Sequence, residues 1–165
     1  VSTTSVPEGY KCMAYYRPSK YGDCKVLAPN LRYSDKREVW ASHGLRPLKA
    51  LQFSFLLSQE CNTIISNKED IIGMFGVNNM GNIGVPWMLA SNGLYEPSTV
   101  RKFVKVSREW VSKTQNRYPI LVNYVAKENQ KTIKWLRFLG FTFTNLIENY
   151  GVNPQPFYEF IRIRS

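Results

Sequence analysis

The segment from Ile120 to Phe141 constrains the fold of this chain more than any other. Ile120–Val125 is a compact apolar run of the kind that forms a central strand buried on both faces. Asn129 is a preferred N-cap residue, and the apolar residues after it recur at helical spacing until Gly140, a typical helix stop. These signals predict a strand, a short helix and a further strand beginning at Phe141.

The rest of the chain alternates strand and helix signals in a fixed order. They predict a strand at 12–17, helical pieces at 23–28 and 34–41 capped by Asp23 and Ser34, a helix from Pro47, strands at 62–66, 71–77 and 83–91, a long amphipathic helix between Pro97 and Pro119, and a closing hairpin of 141–148 and 157–163. This order predicts an α/β (α+β) domain. Its sheet is mixed, mostly antiparallel and six- to seven-stranded, with helices on both faces. We expect residues 1–10 to be a flexible arm and 11–165 a single domain.

The composition bears on the solubility of the chain, its location and the state of its cysteines. Hydrophobic residues make up 44% of the chain and charged residues 21%, and no run approaches the roughly 18 apolar residues of a membrane span. We therefore expect a soluble protein with no membrane partner, and residues 1–7 show no secretory signal. Cys12, Cys24 and Cys61 lack metal-ligand spacing and have a single histidine as a partner, so we predict free thiols and no metal site.

The formal net charge is +10, which indicates attraction to polyanions. Nucleic acid, acidic proteins and phosphate-bearing cofactors all fit this charge. Because lysine and arginine occur along most of the chain, a solubilising basic surface explains it as well as a binding patch does.

A family resemblance rests on the same central segment. Leu121 to Val125, Asn129, Ile133, Trp135-Leu136 and Leu139-Gly140-Phe141 resemble the GNAT superfamily of N-acetyltransferases, in which a strand is followed by Asn, a short helix and Leu-Gly-Phe. The resemblance implies a GNAT-like fold, with acetyl-CoA as the cofactor of any active member. A generic strand–helix–strand unit would carry the same cap and stop residues.

A second resemblance covers most of the chain. Its residues are Leu31-Arg32, Asp35, Glu38, Ala41, Gly44, Pro47, Pro86 to Leu89, Ser107-Arg108, Asn123, Asn129 and Trp135-Leu136. They are similar to the gene-thirteen-type head-assembly or internal virion proteins of short-tailed phages. This resemblance implies other phage or virion proteins as partners, in the host cytoplasm or within the particle.

The GNAT resemblance implies a cofactor site that this sequence matches incompletely. The diphosphate loop of the superfamily, Gln/Arg-x-x-Gly-x-Gly/Ala, is replaced by residues 91–102 without its glycine pattern. Ser98 or Thr99 capping a helix, with Arg101 in the first turn, would still offer an anion site, but a capped helix with a solvated basic face is the simpler interpretation. The resemblance also implies that Asn129 and the backbone of Leu89, Ala90 and Ser91 face the pantetheine arm.

Acid and base residues are harder to assign. The GNAT resemblance implies a tyrosine proton donor seven residues after Asn129, but this chain has Leu136 there, which cannot donate a proton. Tyr124, Tyr150 and Tyr158 are the alternatives. Strand 83–91 has no acidic residue to serve as a base, and His43 lies at a predicted helix end where a cap role suffices. We therefore assign no catalytic residue.

Three functions remain open. The first is a phage accessory or virion-assembly protein with a catalytically degenerate GNAT-like fold, which acts by protein interaction. The second is an active acetyl-CoA-dependent N-acetyltransferase. The third is a basic module that binds nucleic acid non-specifically, suggested by the net charge together with Tyr15-Tyr16-Arg17 and the helix face of Arg101, Lys102, Lys105 and Arg108.

Overall fold

The computed structural model describes residues 14–165. It contains five helices and seven strands, together with 3-10 turns at Ala28–Asn30 and Asn92–Tyr95. In chain order the elements are β1 (Tyr15–Pro18), α1 (Asp23–Leu27), α2 (Tyr33–His43), α3 (Pro47–Leu57), β2 (Ser58–Ile65), β3 (Ile71–Met80), β4 (Ile83–Ala90), α4 (Pro97–Arg117), β5 (Ile120–Ala126), α5 (Gln130–Phe138), β6 (Thr142–Tyr150) and β7 (Gln155–Ile163).

All seven strands form one sheet in the order β1-β2-β3-β4-β5-β7-β6. Every neighbouring pair is antiparallel except β4 and β5, which are parallel. The predicted fold class is thereby confirmed, and the order of elements agrees with the sequence pattern. The β-strand predicted from residue 12 begins at Tyr15, and the predicted arm, 1–10, lies outside the described residues.

Two predicted helix caps are wrong. Asp23 lies inside α1, where its carboxylate accepts hydrogen bonds from the Lys20 N–H and the Arg17 guanidinium. Ser34 lies inside α2, and the residue in the cap position is Arg32. In both cases an ion pair at the helix start, part-buried for Arg17 and Asp23 and buried for Arg32 and Asp35, outweighs the local capping preference of a small polar residue.

The helices cover both faces of the sheet. One core cluster joins α4 and α5 to the sheet and includes Val111, Leu121 and Ile133. A second cluster joins α1 and α3 to the opposite face through Leu27, Leu51 and other residues. Two apolar layers enclosing one sheet are the arrangement expected when strands are buried on both faces.

The turn between β6 and β7 holds the carboxyl end of α2. The N–H groups of Val152 and Asn153 donate to the carbonyls of Ser42 and Ala41, over 3.4 and 3.0 Å, and the Asn153 side chain donates to the Trp40 carbonyl over 2.9 Å. This turn requires glycine at position 151 for two reasons. The φ of +89° favours glycine, and a Cβ there would collide with the Ala41 carbonyl oxygen.

We expect Gly151→Ala to destabilise the protein by about 1–3 kcal/mol, since both the backbone angle and the contact with α2 oppose a methyl group. Gly22→Ala is the matched control, because a Cβ at Gly22 would meet no atom of residues 14–165 within 4 Å and the φ there is −62°. Urea unfolding of both variants tests this, and equal stabilities would show that the turn does not depend on glycine.

Candidate functional site

The candidate site lies where β4 and β5 diverge. Within the described residues these parallel strands pair at two positions, Ile83 with Ile120 and Gly84 with Leu121, and then separate toward their carboxyl ends. The remainder of each strand stays bonded to its other neighbour, β3 or β7. A wedge-shaped gap therefore opens in the middle of the sheet.

Pro86 lies where the gap begins. Proline has no N–H, so it cannot continue a ladder of hydrogen bonds to a neighbouring strand. Its carbonyl instead accepts a hydrogen bond of 2.7 Å from the Asn123 side chain, which spans the first part of the gap. The loss of one donor and the insertion of one side chain explain why the two strands part here.

A cavity of about 690 Å³ passes through this gap. Its walls come from β4 and β5, from α2 and α3 on one face of the sheet and from α4 and α5 on the other, and they include Phe53, Trp87, Phe103 and Trp135. Most of the lining is apolar, with a few polar groups, which is typical of a small-molecule site.

Asp35 of α2 binds the β4 side of the gap. Its Oδ2 accepts a hydrogen bond of 2.9 Å from the Ala90 N–H, and the Arg32 main-chain N–H donates to the Ala90 carbonyl over 2.8 Å. The Ser91 N–H points the opposite way, to Ile72 of β3. Because successive strand residues alternate in direction, the groups of Ala90 are those that face the gap.

Arg32 and Asp35 also form a buried ion pair. The guanidinium donates two bonds to the carboxylate, of 2.8 and 2.9 Å, and the two side chains are 6% and 3% exposed. Desolvation opposes the charge, but the Asp35 carboxylate keeps the pKa of Arg32 above its ordinary value. Arg32 also donates to the Tyr95 hydroxyl over 3.0 Å.

Glu38, one turn later on α2, binds the β5 side. Its Oε1 accepts hydrogen bonds from the Ala126 N–H, over 3.1 Å, and from the Asn129 amide, over 3.0 Å. The neighbouring Lys127 N–H is directed to Pro156, so the Ala126 N–H faces the gap. Asp35 and Glu38 thus bond to main-chain N–H groups on opposite sides of the gap, and we call this pair the α2 bridge.

Burial raises the pKa of Glu38 to about 7. The Asn129 amide and the Ala126 N–H act against this rise, and the Asp35 carboxylate adds to it. Arg32 lies nearby but is bonded to Asp35, so Glu38 has no close cation of its own among the described residues. Glu38 lines the cavity, and its Oε2 makes no hydrogen bond within residues 14–165.

Four of the predicted cofactor residues lie beside the α2 bridge. Leu89 lines the cavity, and both main-chain groups of Ala90 are occupied by Arg32 and Asp35. Ser91 is buried and caps the 3-10 turn that follows it. Asn129 caps α5 by accepting from the Thr132 N–H over 3.4 Å, while its amide nitrogen donates to Glu38.

The other three predicted residues lie elsewhere, at the start of α4. The helix begins at Pro97, and its cap residue Glu96 makes no side-chain cap bond, so Ser98 and Thr99 are not caps. Ser98 and Arg101 are exposed. Thr99 is buried against the β1 side of the sheet, with its hydroxyl unbonded in the described part of the chain.

The residues considered for proton transfer are divided. Leu136 is buried in the core and also borders the cavity, and Tyr124 and Tyr150 line the cavity with stacked rings 4.7 Å apart. Burial raises the pKa of both phenols. Tyr158 instead packs on Phe143. His43 borders the cavity in the last turn of α2 and hydrogen-bonds Ser42 through Nδ1 over 2.8 Å.

Sequence reasoning missed the chemical role of the α2 bridge. In the sequence, Asp35 and Glu38 stand out only as part of a family resemblance. Their spacing of three residues places both carboxylates on one side of a helix. That spacing is the only feature of the sequence that could have indicated a shared role for the two residues. It does not reveal a partner, because the partners are main-chain groups 55 and 88 residues away.

The cysteines and the helices bear on the thiol and membrane predictions. Cys24 and Cys61 are free thiols, and burial raises the pKa of Cys61 to about 11; Cys12 lies outside the described residues. In residues 14–165 no helix has the combined length and apolar character of a membrane span.

The sheet, with its one parallel pair and its gap, defines a GNAT-like fold, and solved structures agree. Phosphinothricin acetyltransferase from Sinorhizobium meliloti, solved in complex with AcCoA, superposes with a TM-score of 0.70 at 15% identity, covering 92% of this chain and 88% of that one. Ribosomal-protein-S5-alanine acetyltransferase from Vibrio fischeri gives 0.63 at 19% identity, covering 91% and 92%. At these identities the similarity shows the fold alone.

A comparison of the sequence with protein-family models shows the family to which the chain belongs. The model of the family described as "Bacteriophage T7, probable scaffold protein Gp13" matches residues 62–147, which is just over half of the 165 residues. The chain belongs to this phage family. No curated protein sequence matches it significantly.

We expect Asp35→Asn to destabilise the protein by about 3–5 kcal/mol, because it leaves the Arg32 guanidinium buried without a counter-charge. The matched control is Arg37→Gln, which breaks the exposed pair with Glu128 and should cost less than about 1 kcal/mol. Denaturant unfolding measures both variants. Similar losses would show that the buried pair contributes no more than a surface pair.

Glu38 predicts an unusual dependence of stability on pH. The folded protein retains its proton up to a pKa of about 7, whereas the unfolded chain releases it near 4.5, so stability should fall as pH rises from 4.5 to 7. The loss is at most about 3 kcal/mol. Glu38→Gln should remove this component of the slope. A wild-type slope unchanged by the substitution would contradict the assignment.

Proposed function

We propose that this protein is an assembly protein of the phage particle that acts by binding other virion proteins, and that its acetyl-transfer activity is weakened or lost. Membership of the phage scaffold family and the GNAT-like fold support this combination. The proposal includes a role in the host cytoplasm, with incorporation in the virion as a further step.

One observation carries the proposed loss of activity. The N–H and carbonyl of Ala90 face the gap, where an extended ligand could pair with β4 as an added strand would. Asp35 and Arg32 of the same chain already occupy both groups. A ligand arm could use them only by displacing a buried, two-bonded ion pair, and exposing one partner of such a pair is costly.

Two further features support the same proposal. The first turn of α4 follows Glu96 and Pro97, so a carboxylate lies where a cofactor diphosphate would need positive potential, and Pro97 supplies no N–H. Leu136, at the position that resembles the superfamily tyrosine, offers no proton to a leaving thiolate.

The second candidate function is an active acetyl-CoA-dependent N-acetyltransferase, and the cavity at the gap favours it. Glu38 would be the general base, since a carboxyl group with a pKa near the working pH suits proton transfer. Tyr124 or Tyr150 would supply the proton donor. Leu89, Asn129, Ser98 and Arg101 would remain cofactor contacts under this alternative.

Calorimetric titration with acetyl-CoA separates the two functions. We expect no heat of binding up to millimolar concentration for the phage chain, while phosphinothricin acetyltransferase from Sinorhizobium meliloti, whose complex with AcCoA is known, serves as the positive control. Micromolar binding by the phage chain would contradict the proposed loss of cofactor binding. Amine-dependent release of free thiol that disappears in Glu38→Gln would establish the enzyme instead.

A further inference from the structure

The positive charge of the chain is concentrated on two helices. Together α4 and α5 contain nine lysines and arginines and one carboxylate, Glu109, so these 30 residues carry a net charge of +8. The whole chain carries +10. The net positive charge is therefore local, because 11 of the 12 acidic residues lie outside these helices. The lysines and arginines themselves occur along most of the chain, as expected from the sequence, and 13 of the 22 lie outside α4 and α5.

The two helices lie side by side and run in the same direction. Lys131 at the start of α5 lies 4.6 Å from the Tyr95 ring that precedes α4, and the Phe103 and Trp135 rings are 5.2 Å apart further along. Near the end of α5, the Arg108 guanidinium lies 5.0 Å from the Phe138 ring. Both helices therefore contribute to one continuous surface.

Six exposed cations occupy this surface, which we call the basic face: Arg101, Lys105, Arg108, Lys131, Lys134 and Arg137. The first three recur at i, i+4 and i+7, the spacing of a single helical stripe. The salt bridges of residues 14–165 include none of the six. Their charges are thus available to an external anion.

We infer that the basic face binds the phosphate backbone of nucleic acid. Specific protein interfaces have an apolar centre depleted of charge, whereas interfaces with nucleic acid are polar and strongly positive. Here the cations run through the middle of the surface, and most large apolar residues of both helices, including Phe103, Trp110 and Ile133, pack inward. Phe138 is 47% exposed and lies under the Arg108 guanidinium. The face thus fits phosphates better than an acidic protein.

The binding is expected to be independent of base sequence. Lysine and arginine contacts with phosphate carry no sequence information, and they make affinity depend steeply on salt. The inference goes beyond the proposed function, since it adds nucleic acid to virion proteins as a partner of the chain.

Fluorescence anisotropy with a labelled double-stranded DNA of arbitrary sequence tests the inference on the full chain. If all six cations contact phosphates, the plot of log affinity against log salt concentration should have a slope of about −5. A second DNA of unrelated sequence should bind equally. Absence of binding at 50 mM salt, or strong preference for one sequence, would overturn the inference.

Two triple variants that lose the same number of positive charges test whether DNA binds at the basic face. Replacing Lys105, Lys131 and Lys134 by glutamine should weaken binding at least about ten-fold at low salt and reduce the slope by about three. The control replaces Lys36, Lys49 and Lys68, which are exposed lysines elsewhere, and should keep the wild-type slope. Equal losses in both variants would mean that overall charge, and not the basic face, attracts DNA.

Competition identifies the occupant. Poly-glutamate at the same concentration of negative charge should compete much less well than unlabelled DNA; equal competition would favour an acidic protein and overturn the inference. Thermal melts confirm that each variant is folded. If the chain does not bind DNA, the proposed loss of acetyl-CoA binding still stands. If the chain binds acetyl-CoA, the proposed loss of activity is overturned, but the inference about the basic face is not affected.

Discussion

A sheet whose two central strands diverge leaves main-chain N–H groups without a neighbouring strand, and this structure depends on how they are bonded. A buried N–H without an acceptor costs free energy comparable to a lost hydrogen bond. The α2 bridge supplies the acceptors, Asp35 for Ala90 on β4 and Glu38 for Ala126 on β5. The bridge also fixes the position of α2, whose end is bonded to the turn at Gly151 and whose Asp35 pairs with the buried Arg32.

The same interaction connects fold to function. The gap at β4 and β5 holds a cavity of about 690 Å³, yet the main-chain groups at the end of β4 are already bonded within the chain. In this member of a phage protein family with a GNAT-like fold, main-chain groups that face the gap join α2 to the sheet. The opposite face of the sheet carries α4 and α5, whose solvent-exposed sides hold the cations of the basic face.

Much of the fold was predictable because its signals are local. The apolar run at 120–125, the cap at Asn129 and the stop at Gly140 each act within a few residues, and all three appear where the pattern indicated. Asp23 and Ser34 failed as caps because an ion pair adjacent to each helix start outweighs local preference. The candidate site was harder to predict, since Asp35 and Glu38 bond to main-chain groups on distant strands and backbone acceptors leave no pattern in a sequence. The net charge of α4 and α5 was also missed. The lysines and arginines are spread along the chain, and only the near absence of carboxylates from these two helices makes their net charge high.

The amide protons of Ala90 and Ala126 report most directly on the α2 bridge. In an NMR titration from pH 5 to pH 9, we expect the Ala126 amide proton to shift with an apparent pKa of about 7, and this shift to vanish in Glu38→Gln. Both amides should also exchange slowly with solvent, as buried hydrogen-bonded groups do. Fast exchange at both positions, or an Ala126 shift that persists in Glu38→Gln, would show that α2 does not bridge the two strands.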